Sequence, residues 1–161
     1  MVIVSDTSPI SSLLKIGRLQ ILPAIYGQVI IPKQVADELQ VLQKQGYDLV
    51  PVFEADWLVV QTPSPAPLLD KLRQEIDPGE AEAIALAIEI GADLLIIDEK
   101  SGRAIALREG IAITGLLGVL LEAKRCGHIP AIKPVLDDLV HLARFRIKPS
   151  LIQEIISLAG E

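Results

Sequence analysis

Short, fully apolar segments recur along this sequence, and longer stretches with helical spacing lie between them. The apolar segments are 2–4, 29–31, 94–97 and 111–113, with 58–60 as a fifth candidate. A strand that is apolar at every position is buried on both faces, as in a parallel sheet covered by helices. The intervening stretches with helical spacing are 8–19, 32–45, 77–90 and 101–108. We therefore predict a three-layer α/β/α domain with a central, mainly parallel sheet.

Beyond residue 114 the pattern becomes helical throughout, over 116–125, 135–145 and 149–159. We predict one domain over residues 1–161, with a core of about 1–125 and a C-terminal helical extension of about 126–161. Half of the 161 residues are hydrophobic, so the chain can bury a core without disulfides or a structural metal. The segment 62–67 contains three prolines and is expected to form a stiff surface connection.

The charge of the chain is acidic overall but unevenly distributed. A net charge of −6 argues against unspecific coating of nucleic acid. Residues 1–99 carry a net charge of −9, whereas residues 100–148 carry +5. This asymmetry fits a metal-holding site beside a phosphate-binding surface, and it fits uneven solvated surfaces equally well.

Three features bear on location. No charge-free stretch approaches the ~20 residues that a spanning helix needs. The first residues contain an acid and no basic start, unlike a signal peptide. The single cysteine, Cys126, cannot form an internal disulfide and is expected to be a small core residue. We therefore expect a cytoplasmic protein that does not associate with a membrane.

Polar residues follow three of the predicted strands directly. Asp6 follows segment 2–4, Asp98 follows 94–97, and Thr114 follows 111–113. Because the carboxyl ends of parallel strands lie at one edge of a sheet, we expect these residues to be close together. Taken singly, Asp6 and Asp98 are also ordinary cap or turn residues.

Two helical acids extend this group. Glu38 lies at the border of the apolar stripe formed by Val35 and Leu39. Glu80 lies in the first turn of the helix predicted over 77–90, where it also fits a capping box with Asp77. Four carboxylates from separate elements would repel one another unless a divalent cation bound them. Oxygen ligands without a Cys or His pattern favour Mg²⁺ or Mn²⁺.

Other chemistries lack their motifs. The glycine-rich dinucleotide and phosphate loops are missing, and so is the nucleophile elbow of serine hydrolases. An aspartyl-phosphate phosphatase would need a second acid after the first strand, where Ser8 stands. The remaining chemistry is a metal-held acidic site that activates water against a phosphodiester.

Four segments together resemble PIN-domain proteins, over roughly residues 1–125. They are 2–8 (VIVSDTS), 32–39 (PxxVxxEL), 79–87 (GEAEAIALA) and 91–98 (GADLLIID). Segment 113–120 resembles a prokaryotic branch of PIN-like proteins. The resemblance implies metal-ligand and catalytic roles for Asp6, Glu38, Glu80 and Asp98. It also suggests toxin ribonucleases of the VapC type, which depend on Mg²⁺, are often homodimers and pair with an antitoxin.

The sequence departs from those toxins at two of the acidic positions. Glu80 stands where many have aspartate, and Lys100 stands where a further acid is common; Glu82 and Glu99 are candidate substitutes for that acid.

Further residues are candidates for contacts with water or phosphate. Thr7, Ser8 and Thr114 could donate hydrogen bonds around the metal, and each is equally typical of a cap or turn. Lys100, Arg103 and Arg108 are candidate phosphate contacts, or simply a solvated helix face.

We predict a metal-dependent endoribonuclease acting on an RNA substrate. The alternative is a catalytically weak or inactive PIN-like module that binds nucleic acid or protein, with the acidic pocket receiving a partner's arginine. The apolar stripes of 135–145 and 149–159 would then pack on the core, form a homodimer face or receive an antitoxin helix.

Overall fold

A computed structural model describes all 161 residues and contains one five-stranded sheet. All strand pairs are parallel, in the order β3-β2-β1-β4-β5. The strands are β1 (Ile3–Ser5), β2 (Val29–Ile31), β3 (Leu58–Val60), β4 (Leu94–Ile96) and β5 (Ile113–Thr114). The predicted α/β class, with a parallel sheet between helical layers, is confirmed.

Ten helices surround the sheet. They are α1 (Thr7–Lys15), α2 (Ile21–Tyr26), α3 (Lys33–Lys44), α4 (Val50–Phe53), α5 (Pro67–Glu75), α6 (Pro78–Glu89), α7 (Lys100–Arg108), α8 (Leu116–Arg125), α9 (Lys133–His141) and α10 (Pro149–Leu158).

Three of these helices were not predicted: α2, α4 and α5. The helix predicted over 8–19 ends early, at Lys15, because the chain turns through Gly17 with a φ of +69° before α2 begins. Helix α5 buries Leu69 and Leu72, with Leu68 and Ile76 packed beside them, so a short helical apolar period was present in the sequence and was missed. The proline-rich segment before it is irregular as expected, and its last proline, Pro67, begins α5.

The last strand is displaced from its predicted position. It comprises Ile113 and Thr114, whereas the sequence indicated 111–113. The N–H of Ile111 bonds to the Ala106 carbonyl at the end of α7, at 2.9 Å, so Ile111 still belongs to the turn. Thr114 consequently lies within the sheet rather than just beyond it.

Successive strand residues face two separate apolar layers. Ile3 and Ile96 lie in the larger cluster, with side chains from α1–α3 and α8–α10. Val4 and Leu95 point the other way, into a smaller cluster formed with α5–α7. Helix α6 is buried almost all round, which its many alanines permit.

The C-terminal helices share the larger cluster. Leu136 and Leu139 of α9 and Ile155 of α10 are buried in it. The apolar stripes of these helices therefore pack on the protein's own core. Cys126, by contrast, is exposed, so its expected place in the core was wrong; it follows the last turn of α8 on the outer side. No helix is both long and apolar enough to span a membrane.

The shared cluster predicts a large stability effect from α9. Leu139 is fully buried, so Leu139→Ala should lower the free energy of unfolding by about 2–5 kcal/mol through lost burial and a cavity. Urea unfolding followed by circular dichroism measures this. Leu142→Ala is the matched control, because Leu142 is 56% exposed and should change the free energy by about 0.5 kcal/mol or less. Equal effects of both changes would contradict a packed C-terminal region.

Candidate functional site

Two adjacent strands deliver acidic side chains to the same edge of the sheet. Asp6 directly follows β1, and its N–H bonds to the Ile96 carbonyl of β4 at 2.9 Å. Asp98 follows β4, and its Oδ1 accepts the N–H of Leu116, at the start of α8, at 2.8 Å. The Asp6 side chain is almost completely buried, at 3% exposure. Neighbouring parallel strands thus place both aspartates at their carboxyl ends.

Hydrogen bonds to the Glu38 carboxylate connect three helices at this edge of the sheet. One carboxylate oxygen, Oε2, accepts the hydroxyl of Thr7 in the first turn of α1. The other oxygen, Oε1, accepts the N–H of Gly79 in the first turn of α6, at 3.1 Å. Gly79 lacks a side chain where a Cβ would collide with the Glu38 carboxylate. Glu38 is therefore aimed into the site rather than into solvent.

Glu80 does not complete the capping box that the sequence suggested. The side chain of Asp77 makes no cap hydrogen bond, and the N–H of Gly79 is satisfied by Glu38 instead. Glu80 is 5% exposed, and its Oε2 is buried without a hydrogen-bond partner. Helix α7 approaches this oxygen closely, since a Cβ on Gly102 would lie 2.7 Å from it.

Burial and mutual repulsion raise the pKa of three carboxyl groups. The pKa of Asp6 is raised from its ordinary 3.8 to about 7, mainly because burial desolvates the carboxyl group; the charges of Glu38 and Asp98 also raise it, and a hydrogen bond from the Thr7 N–H opposes the shift. Burial raises the pKa of Glu80 from 4.5 to about 7, with Asp6 as the strongest neighbouring charge. Burial also raises the pKa of Asp98, although the N–H of Leu116 and the Arg103 guanidinium oppose the shift.

The donor set fits a hard divalent cation. Two buried carboxylate oxygens, Glu80 Oε2 and Asp98 Oδ2, have no hydrogen-bond partner, and unpartnered buried oxygens are costly. A divalent cation would satisfy such oxygens and remove the repulsion between the carboxylates. In the positions observed, no three acidic, histidine or cysteine side chains form a group that could hold one ion. Binding would therefore require the carboxylates to draw closer together.

The predicted residues line one polar cleft of about 670 Å³. From the predicted set, the lining includes Asp6, Thr7, Ser8, Glu38, Glu80, Asp98 and Glu99. The structure thus brings the four predicted ligands to one place, and their role as ligands stays a prediction.

Other predicted residues lie outside this lining. Glu82 is buried but accepts a bond from Arg73 at 3.3 Å and from the Gln34 N–H at 3.4 Å, so it joins helices. Thr114 bonds only weakly, to the Gly115 carbonyl at 3.4 Å, and does not line the cleft.

The three basic candidates also lie outside the lining. Arg103 donates to the Ile97 carbonyl at 2.8 Å and acts on Asp98 through its charge. Arg108 pairs with Glu75 and Glu109, each at 3.5 Å, and Lys100 is exposed.

The cations that do line the cleft were not predicted. They are Lys15 at the end of α1, and Arg144 and Arg146 in the connection between α9 and α10. The sequence does contain a pattern that indicates exposed arginines here, because cations alternate with apolar residues from Arg144 to Lys148. This period of two is typical of an extended segment with one face on the core.

Comparisons with known proteins agree with this architecture. The family model described as "DUF3368: PIN domain" matches residues 2–161. A PilT N-terminus domain protein from the archaeon Sulfolobus solfataricus has a similar structure, with a TM-score of 0.51 and 20% sequence identity over 74% of this chain and 90% of that one. At that identity, the likeness shows the fold alone. No curated protein matches this chain.

The raised pKa values predict that the metal-free protein loses stability as pH rises. A carboxyl with a raised pKa in the folded state binds its proton more tightly than in the unfolded chain, so its contribution is full at acid pH and is lost through about pH 7. In EDTA, the thermal unfolding temperature should fall between about pH 5 and about pH 8.

Asp6→Asn should reduce this fall, because it removes one buried ionisation. At about pH 8 it should stabilise the metal-free protein by on the order of 1 kcal/mol or more, equivalent to about 2–4 °C. Differential scanning calorimetry of both proteins across this interval is the measurement. The exposed Asp56 provides the control change Asp56→Asn, which should leave the profile unaltered. An unfolding temperature that rises with pH in EDTA would contradict the assignment.

Proposed function

Because this chain belongs to the PIN-domain family, we propose that it is a metal-dependent endoribonuclease that hydrolyses RNA phosphodiester bonds. PIN domains are commonly nucleases and generally use divalent metal ions. The observation that carries the proposal is the buried carboxylate group, in which Glu80 Oε2 and Asp98 Oδ2 lack partners. Such a group is costly as it stands and is suited to a cation.

In this proposal Asp6, Glu38, Glu80 and Asp98 hold Mg²⁺ or Mn²⁺. When bound, the ion lowers the pKa of water and stabilises negative charge on the scissile phosphate. Asp6 and Glu80, whose pKa values are raised to about 7, must give up their protons before they can bind the ion.

Three other lining residues support the site in different ways. The Ser8 hydroxyl lines the cleft in the first turn of α1 and can donate a hydrogen bond to a phosphate oxygen. The Thr7 hydroxyl donates to Glu38, which keeps that carboxylate at the cleft. Glu99 lines the cleft as an exposed acid and raises the pKa of its acidic neighbours.

The test is cleavage of an end-labelled RNA in Mn²⁺ or Mg²⁺. Asp6→Asn and Asp98→Asn should each lower the rate by about 10²-fold or more, the scale seen when a transition-state contact is removed. EDTA should abolish cleavage, and Mn²⁺ calorimetry should show binding that the Asp6→Asn/Asp98→Asn variant loses. Asp56→Asn is the control and should cleave at the unmodified rate. Cleavage by the unmodified chain that persists in EDTA would overturn the metal-dependent mechanism.

The second candidate function is a PIN-like module that binds nucleic acid or protein without cleaving it. The absence of any three-donor group in the observed positions favours this candidate. A folded protein that binds RNA equally well with and without metal, and never cleaves it, would establish this alternative.

The toxin role extends the ribonuclease proposal to the cell. It rests on the resemblance to VapC-type ribonucleases, which implies an antitoxin partner and a homodimer. Expression of the unmodified chain in a bacterial host should then arrest growth, whereas Asp6→Asn, at equal protein level, should not. Unimpaired growth at a level where the purified protein cleaves RNA would contradict the toxin role. Light scattering of the purified protein tests the homodimer.

A further inference from the structure

A second cleft adjoins the carboxylate cleft and differs from it in charge. Its volume is about 470 Å³, and it shares Lys15, Ala143 and Arg144 with the first cleft. The other lining residues are Gln45, Tyr47, His141 and Leu142. No acidic side chain lines it, although the chain carries a net charge of −6. This composition suits an anionic group better than a cation.

The segment 143–147 contributes lining residues to both clefts and exposes its two arginines. Ala143, Phe145 and Ile147 are partly buried against the larger apolar cluster. Arg144 and Arg146 alternate with them and are exposed. The backbone is anchored by a 2.9 Å hydrogen bond from the Phe145 N–H to the Leu139 carbonyl of α9. Packing and backbone bonding therefore hold both guanidinium groups on the cleft side of this segment.

These cations are not neutralised by carboxylates within the protein. Arg144, Arg146 and Lys15 take part in none of the ion pairs of the protein. The Lys15 ammonium lies 5.9 Å from the centre of the Tyr47 ring, and both residues line the second cleft. Arg144 adopts a φ of +54°, a conformation that few residues other than glycine adopt, so packing and not local preference sets its position.

We propose that Lys15, Arg144 and Arg146, here called the cationic wall, bind the RNA backbone phosphates next to the scissile one. The adjoining nucleotide would occupy the second cleft. Arg146 lines only the carboxylate cleft, whereas Arg144 and Lys15 line both, so the wall forms a continuous path between them. Guanidinium groups bind phosphate oxygens through paired hydrogen bonds, and lysine adds a point charge. The inference rests on the proposed function for the identity of its ligand.

The test measures RNA binding without cleavage. Fluorescence anisotropy of a labelled single-stranded RNA in EDTA gives the dissociation constant of the unmodified chain and of Arg144→Ala/Arg146→Ala. The affinity should fall by at least ~10-fold, since hydrogen bonds to charged groups contribute about 1.5–3 kcal/mol each. The slope of log affinity against log salt should become shallower by about 1.4, or about 0.7 for each lost phosphate contact on a single strand.

Two further variants separate specific contacts from charge and from folding. Lys71→Ala/Lys133→Ala removes the same charge from two exposed residues that line neither cleft, and it should change affinity and slope much less. Arg144→Lys/Arg146→Lys keeps the charge and should restore most of the salt slope. Thermal unfolding confirms that each variant is folded.

Several outcomes would overturn the proposal. One is that the unmodified chain does not bind RNA. Another is that the arginine variant and the lysine control variant lose RNA affinity equally. A third is that a poly-glutamate peptide displaces the RNA at a concentration similar to that of unlabelled RNA, which would indicate an acidic protein partner. Failure of the proposed function is distinguishable from failure of this inference. If the protein binds RNA through the two arginines but does not cleave it, the nuclease proposal is wrong and the cationic wall is supported. If Arg144→Ala/Arg146→Ala cleaves RNA in Mn²⁺ with the same KM as the unmodified chain, the role of the cationic wall is wrong and the nuclease proposal is supported.

Discussion

The burial of carboxylates, together with the repulsion between them, is the constraint around which the carboxyl edge of this sheet is organised. Asp6 and Glu80 are almost fully buried, and this burial raises the pKa of both carboxyl groups, while the Asp6 charge raises the pKa of Glu80 as well. Burying an acid without a cationic partner costs free energy, so this arrangement lowers the stability of the metal-free protein. The apolar layers on both sides of the sheet must offset that cost. A site of this kind is stable only within an otherwise well-packed domain.

The surrounding elements are shaped to keep these acids close. Gly79, Gly102 and Gly115 each leave space that a Cβ would take from a carboxylate of Glu38, Glu80 or Asp98, respectively. Glu38 in turn satisfies the N–H of Gly79, which would otherwise remain unpaired at the start of α6. The same contact therefore caps a helix and positions an acid, so the packing of α3 against α6 cannot be separated from the geometry of the site.

The sequence predicted those parts of the molecule that depend on local patterns. Fully apolar runs located the strands, and the rule for parallel sheets placed Asp6 and Asp98 together. It could not show that Glu80 turns inward, because the competing capping box with Asp77 fits the same residues, and only the tertiary contacts of Gly79 with Glu38 and of Glu80 with α7 decide between them. Arg144 and Arg146 were missed for a related reason. They lie far along the chain from Asp6, and only the packing of α9 and the following segment on the core brings them to the cleft.

The carboxylates of the cleft and its cationic wall have opposite charges, yet they form no ion pair with each other. If they did, each would occupy the other's ligand position. In the proposed function, their separation would leave the carboxylates to a cation and the arginines to phosphate. A bound cation would also reduce the repulsion between the carboxylates and an incoming phosphate, and by linkage phosphate would strengthen binding of the cation equally. Under the proposed function, a cleft that holds both charges apart would therefore favour a ligand pair over either ligand alone, as a phosphodiester substrate with its metal would require.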